Sequence, residues 1–216
     1  MRESGLLKNI NTFSLVLVAP QYTQLDDYKF YIAGENVTWR LFIADYIVRN
    51  YPFVNIVEFQ DSETSSEYEA PTLTHLYNKA LQKDGQYLYI HSKGISHKNP
   101  NPAIDNWRDI LNHHLIYWWR ECVDRLSDHD VVAVRDRHVA NVGEILVSGN
   151  FFWANSSYIK TLEPPALIDR YCSNPQHYPG MPLYRLGLEK WILSGKPNHY
   201  WIADTGLDHY VDYCRA

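Results

Sequence analysis

The chain has 216 residues, of which 45% are hydrophobic and 21% charged, a balance that fits a folded globular protein and excludes a disordered class. Its formal charge is −5 with no long Lys/Arg run, so nucleic acid is excluded as a general partner. No stretch approaches the ~20 apolar residues that a membrane-spanning helix requires.

A single domain of residues 1–216 is expected. Met1–Asn11 reads as a loose leader, and Leu15–Ala19 has the character of a strand, not of a signal peptide. Strand one covers Thr12–Pro20. Gln21–Asp27 follows as a polar loop at its carboxyl end, where Tyr22 is a candidate to stack on a nucleotide base. Val37–Asn50 carries Trp39, Phe42, Ile43, Tyr46 and Ile47 at helical spacing, with Asn36 as the expected N-cap. Val54–Phe59 is a second strand, and Asp61–Glu69 is an acidic, Ser-rich surface connection. Pro71 opens a helix to about Lys83 with Leu73, Leu76, Tyr77 and Ala80 inward.

Tyr87–Ile90, a run of β-formers without charge, predicts a buried central strand. Behind it stand His91, Ser92, Lys93 and Gly94, so an imidazole, a hydroxyl, a cation and a flexible residue arrive at the carboxyl end of that strand. A long helix is expected from Pro102 to about Leu126, with Ile104, Trp107, Leu111, Leu115, Trp118, Cys122 and Leu126 on one stripe. Val131–Val134 and Glu144–Trp153 are the next strands, Ser156–Leu162 a short helix, Leu183–Ser194 a helix and Tyr200–Ala203 a last strand. This alternation predicts an α/β fold with a mixed, mostly parallel central sheet flanked by helices, Rossmann-like in character.

Four groups of residues carry possible chemistry. Lys93 and Ser92, with His91, Gly94, His97 and Arg108 near in sequence, suit the oxygens of a diphosphate; the plain alternative is a solvated turn. Arg108, near a helix start, suits an anion at that N-terminus, whereas the surrounding aromatics read as ordinary core. Adjacent His113 and His114 point about 100° apart on a helix and cannot share a metal. Gly149 and Asn150 interrupt an apolar strand beside Trp153, so Asn150 either satisfies neighbouring backbone or faces hydroxyls of a ligand. Arg185 and Glu189 form an i, i+4 pair, either a surface ion pair or a sugar contact with Glu189 as a base. Cys122, Cys172 and Cys214 are odd in number without metal spacing, which implies reduced thiols and a cytoplasmic setting. No GxGxxG, Walker, GxSxG or HExxH pattern occurs.

In order, YLYIHSKGIS at Tyr87–Ser96, WRDILNHHLI at Trp107–Ile116, SGNFFWANSSYIKTL at Ser148–Leu162 and RLGLEKWI at Arg185–Ile192 resemble a group of small nucleotide-sugar glycosyltransferases of bacteria and large algal viruses. The resemblance implies a GT-A-like fold, with residues 12–136 as the nucleotide-sugar half and residues 144–216 as the acceptor half. It implies hexosyl transfer from a nucleotide-diphosphate sugar, UDP-sugar favoured, to a hydroxyl of a glycan or glycoconjugate. The family's His before Gly-Asn falls on Leu146. Where many GT-A enzymes hold a divalent metal, Mn²⁺ or Mg²⁺, on Asp-x-Asp, this chain has His91-Ser92-Lys93, and Lys93 is expected in the metal's role. A base for the acceptor proton is sought among Asp136, Glu189 and Asp204. The alternative is a carbohydrate- or nucleotide-binding module of the same fold without turnover.

Overall fold

The computed structural model describes residues 3–20, 30–32, 35–37, 39–62, 69–91, 102–135, 146–147, 149–167, 183–204 and 206. They fall into two compact units, Ile10–Thr72 and Met1–Asn9 with Leu73–Ala216. The architecture is mixed α/β. Among the described residues no helix is long and apolar enough to cross a membrane.

In the unit Ile10–Thr72, β1 (Phe13–Pro20) and β4 (Val54–Ser62) pair in parallel. Parallel neighbours cannot be joined by a tight turn, and helix α1 (Trp39–Asn50) lies within the connection. A short antiparallel pair, β2 (Phe30–Ile32) and β3 (Glu35–Val37), precedes that helix. Asn36 is therefore a strand residue, not the expected N-cap. The run Glu35–Val37 alternates too briefly to reveal a strand in the sequence, and it becomes one by pairing with Phe30–Ile32.

The unit that holds Leu73–Ala216 is built on a four-stranded sheet. Helix α2 (Ala70–Gln82) buries Leu73, Leu76 and Ala80, as the 3.6-residue period predicts. Strand β5 (Gln86–Tyr89) follows, then helix α3 (Pro102–Asn112), a π-helical turn (His113–Tyr117) and helix α4 (Trp119–Arg125). Strands β6 (Val131–Arg135) and β7 (Phe152–Asn155), the short helix α5 (Ser156–Ile159), helix α6 (Leu183–Trp191) and strand β8 (His199–Asp204) complete it.

The strand order is β5-β7-β6-β8. β7 is antiparallel to both neighbours, and β8 is parallel to β6. It follows that β5, β6 and β8 point one way and β7 the other. Three carboxyl ends and the amino end of β7 thus share one edge. Among the described residues β5 stands at the end of this order, not at the centre expected for Tyr87–Ile90, and only its Tyr89 is buried. The aromatic run misleads because Tyr87 lies over α2, with its hydroxyl donating to Lys83 O at 2.8 Å.

Two further expectations are corrected. The helix after Pro102 is not continuous: the π turn widens it, and Trp118 at its end has φ −95° and ψ 27°. The widened turn carries Trp118 outward, to 45% exposure, while Leu111, Leu115, Cys122 and Leu126 keep the buried stripe. Nor does a strand run from Glu144 to Trp153, because Gly149 and Asn150 are left-handed, with φ of 79° and 55°, and β7 begins only at Phe152.

Aromatic polar tips tie the elements together. Trp153 Nε1 donates to Leu115 O at 2.8 Å, Trp191 Nε1 to Glu163 O at 2.9 Å and the Tyr158 hydroxyl to Ile192 O at 2.7 Å. Each buries a large ring without leaving its donor unsatisfied. Burial pushes the Cys122 thiol up to about 12, which keeps it protonated and inert. Cys172 and Cys214 lie outside the described residues.

The leader is docked over its middle. Leu6 sits in a 3₁₀ turn (Leu6–Lys8) and is 1% exposed, Trp119 Nε1 donates to Ser4 O at 3.1 Å, and the Tyr117 hydroxyl donates to Glu3 Oε2 at 2.9 Å. The pair Leu6-Leu7 is too short a run to give a periodicity to detect, and the partner surface is more than a hundred residues away. Leu6→Ala is expected to lower unfolding free energy by about 2–4 kcal/mol in urea titration, as for other buried leucines. A loose leader would leave the midpoint unchanged.

Candidate functional site

The shared sheet edge gathers side chains by register. Tyr89 pairs with Phe152, Phe152 with Ala133 and Ala133 with Trp201 across the four strands. Two positions beyond that rung, toward the carboxyl ends of β5 and β6, come His91, Asn150 and Arg135. Arg135 in turn pairs with Asp204 of β8. His91 just beyond β5, Asn150 just before β7, and Arg135 and Asp204 at the ends of β6 and β8 therefore belong to the one sheet edge where ligands of α/β sheets bind.

The centre of this edge is the turn Val147–Asn150. Asn150 N donates to Val147 O at 2.8 Å, closing four residues, and Gly149 at φ 79° occupies the third position, which only glycine adopts without strain. Asn150 follows at φ 55° and is 0% exposed; asparagine tolerates the left-handed region better than other side chains.

Space also demands glycine. A Cβ at position 149 would lie 2.9 Å from Leu111 Cδ1 and 3.0 Å from Trp107 Cζ2, both on α3. Two more elements grip the turn through its backbone. His91 Nε2–H donates to Gly149 O at 2.8 Å, and Val147 N donates to Glu189 O of α6 at 3.1 Å. A carbonyl can only accept, so in the neutral ring the His91 proton is on Nε2 and the lone pair on Nδ1. The ring is set between Tyr89, stacked at 6.1 Å, and Phe151, edge-on at 5.1 Å.

The candidates named from the sequence separate accordingly. His91, Gly149 and Asn150 come together. Glu189, half-buried, meets the turn through its main chain. Trp153 is 4% exposed with its N–H committed to Leu115 O, so its ring packs the core and offers no stacking face. Arg108 sits in the second turn of α3 and is held by Asp105 at 2.6 Å, away from the first-turn N–H groups that would bind an anion.

Asp204 spends one oxygen on Arg135 Nη1 at 3.2 Å and the other on Gly206 N at 3.1 Å, a geometry of a cap more than of a waiting base. Arg185 lies on α6, its side chain outside the described residues. Tyr22, Ser92, Lys93, Gly94 and Asp136 lie outside them as well. Among the described residues no three His, Cys, Asp or Glu side chains form a metal-ligand set.

Arg135 is the residue that sequence reasoning passed over. It stands at the carboxyl end of β6 with its side chain 42% exposed, a fixed cation on the ligand edge. The signal was present, since a charged residue directly after the buried run Val131–Val134 marks a strand end. What the sequence lacks is the register that aligns it with His91 and Asn150.

The chain belongs to the family described as a domain of unknown function, DUF8361, whose profile matches residues 47–194. That match takes in the turn and every element that grips it, and stops before β8. No curated protein and no solved structure matches the chain.

Gly149→Ala is expected to cost about 2–4 kcal/mol, combining a left-handed backbone without glycine with overpacking against Trp107 and Leu111. Chemical denaturation measures it. Leu111→Ala in the same chain relieves one of the two clashes, so the double variant should lose less than the sum of the singles.

Proposed function

We propose that the chain is a glycosyltransferase of GT-A-like architecture, moving a hexose from a nucleotide-diphosphate sugar, UDP-sugar favoured, to a hydroxyl acceptor. The observation that carries this reading is the convergence on one turn. His91, Trp107, Gly149 and Glu189 belong to the four separate segments in which the chain resembles nucleotide-sugar transferases, and all four meet at Val147–Asn150. Segments linked only by chance resemblance have no reason to share a contact point. A single reversed strand in a sheet with its polar residues at one carboxyl edge also suits such a site.

The chemistry divides among these groups. As the bond from the sugar's anomeric carbon to the diphosphate oxygen breaks, negative charge grows on the departing diphosphate and positive charge on the sugar. Fixed cations answer the first change: Arg135 at the end of β6 and Lys93 behind β5 in the role a divalent metal plays elsewhere. The acceptor oxygen forms the new bond and its proton passes to a carboxylate among Glu189, Asp136 and Asp204. His91 and the buried Asn150 hold the turn that shapes the site.

A thermal-shift panel of UDP-, GDP-, CMP- and dTDP-sugars tests the reading. A true donor at about 100 times its dissociation constant should add about 2.7 kcal/mol of stability, and Arg135→Gln should weaken that effect. Slow release of free sugar from the stabilising donor identifies an enzyme. Stabilisation without turnover instead favours the binding module, and no response to any nucleotide sugar refutes both.

A further inference from the structure

The long helix carries a second site-like feature, on a face that the sheet edge does not use. Two adjoining grooves of about 390 and 510 Å³ share Asp109 and His113 as lining residues; His114 completes the first, and Asn112 and Tyr117 belong to the second. The π turn His113–Tyr117 forms their floor. Such turns are strained interruptions of a helix and recur at functional sites.

Along them runs a continuous aromatic surface. Tyr117 stacks on His113 at 6.2 Å, and Trp118 lies 5.5 Å from the His113 ring and 5.2 Å from that of His114. Tyr117 is 46% and Trp118 45% exposed, so both rings show a face to solvent. The Tyr117 ring is also fixed in place, because its hydroxyl is tied to Glu3.

A third observation is independent of the surface. His114 Nδ1 is buried with no hydrogen-bond partner among the described residues. A buried imidazole nitrogen left in that state costs free energy, which the fold accepts beside the groove that His114 lines. Desolvation, then the neighbouring His113, hold the His114 pKa below its usual value, so the ring is neutral near pH 7.

We propose that this platform is a saccharide-binding site for neutral oligosaccharides, distinct from the sheet edge. Aromatic faces pair with the C–H faces of pyranose rings, while the Asp109 carboxylate, the Asn112 amide and the His113 ring nitrogens match ring hydroxyls. Asp109 lines both grooves and, among the described residues, no Lys or Arg lines either, so nothing in them favours an anionic glycan. The proposal stands whether or not the chain uses a nucleotide sugar.

Saturation-transfer NMR and calorimetry with neutral probes, maltohexaose, cellohexaose, mannopentaose and chitotetraose, and with no nucleotide present, decide it. At least one probe should bind, with ring C–H protons receiving the transfer. Trp118→Ala and Asp109→Ala should each weaken it by about tenfold or more, whereas Leu167→Ser, an exposed apolar position elsewhere, should not. Both altered residues are exposed, and unchanged thermal melting will show that the variants fold. Absence of binding by every probe, or binding that both platform variants retain, overturns the proposal.

Discussion

Close approach of α3 to the turn Val147–Asn150 is the constraint on which the rest of the candidate site depends. Trp107 and Leu111 come so near Gly149 that no side chain fits there. The turn is also held through its own backbone, whose Gly149 carbonyl accepts from the His91 ring and whose Val147 N–H donates to Glu189 O on α6. A helix, a strand end and a second helix, drawn from distant parts of the sequence, are thereby tied to four residues. Movement of any one of them is felt at Asn150, the buried polar residue of the turn.

Among the seven Trp and seventeen Tyr of the whole chain, four serve a different rule. Trp153, Trp191 and Tyr158 each place a ring in the core and pass the polar tip to a main-chain carbonyl of another segment. Trp119 does the same for the N-terminal turn. Such contacts combine large apolar burial with a directional bond, so they fix orientation as well as proximity. They also remove these rings from consideration as ligand platforms. Among the described residues of this unit, the exposed rings, Tyr117 and Trp118, are the ones next to the grooves.

Much of the fold was legible where one period governed a long segment. The stripe of α2, the buried run Val131–Val134 and the strand at Thr12–Pro20 all follow from local pattern alone. What escaped was decided by tertiary contact: the pairing that makes Glu35–Val37 a strand, the docking of Leu6, and the place of β5 at the end of its sheet. The site divides in the same way. Residue types at strand ends identified His91, Gly149 and Asn150, because polarity changes abruptly there. Arg135 and the core position of Trp153 depended on register and on a carbonyl thirty-eight residues away, which no local signal encodes.

The π turn has an energetic meaning for the helix that contains it. A regular helix from Pro102 onward would carry the indole at 118 on the buried stripe, where it would gain roughly 1–2 kcal/mol over its half-exposed state. The chain forgoes that gain and accepts five residues of poorer hydrogen-bond geometry as well. A sequence shaped for stability alone would have smoothed this defect away with a single change of length or residue. Directed evolution for thermal tolerance should therefore find its easiest improvements at His113–Trp118, and what those improvements destroy will reveal what the irregularity is kept for.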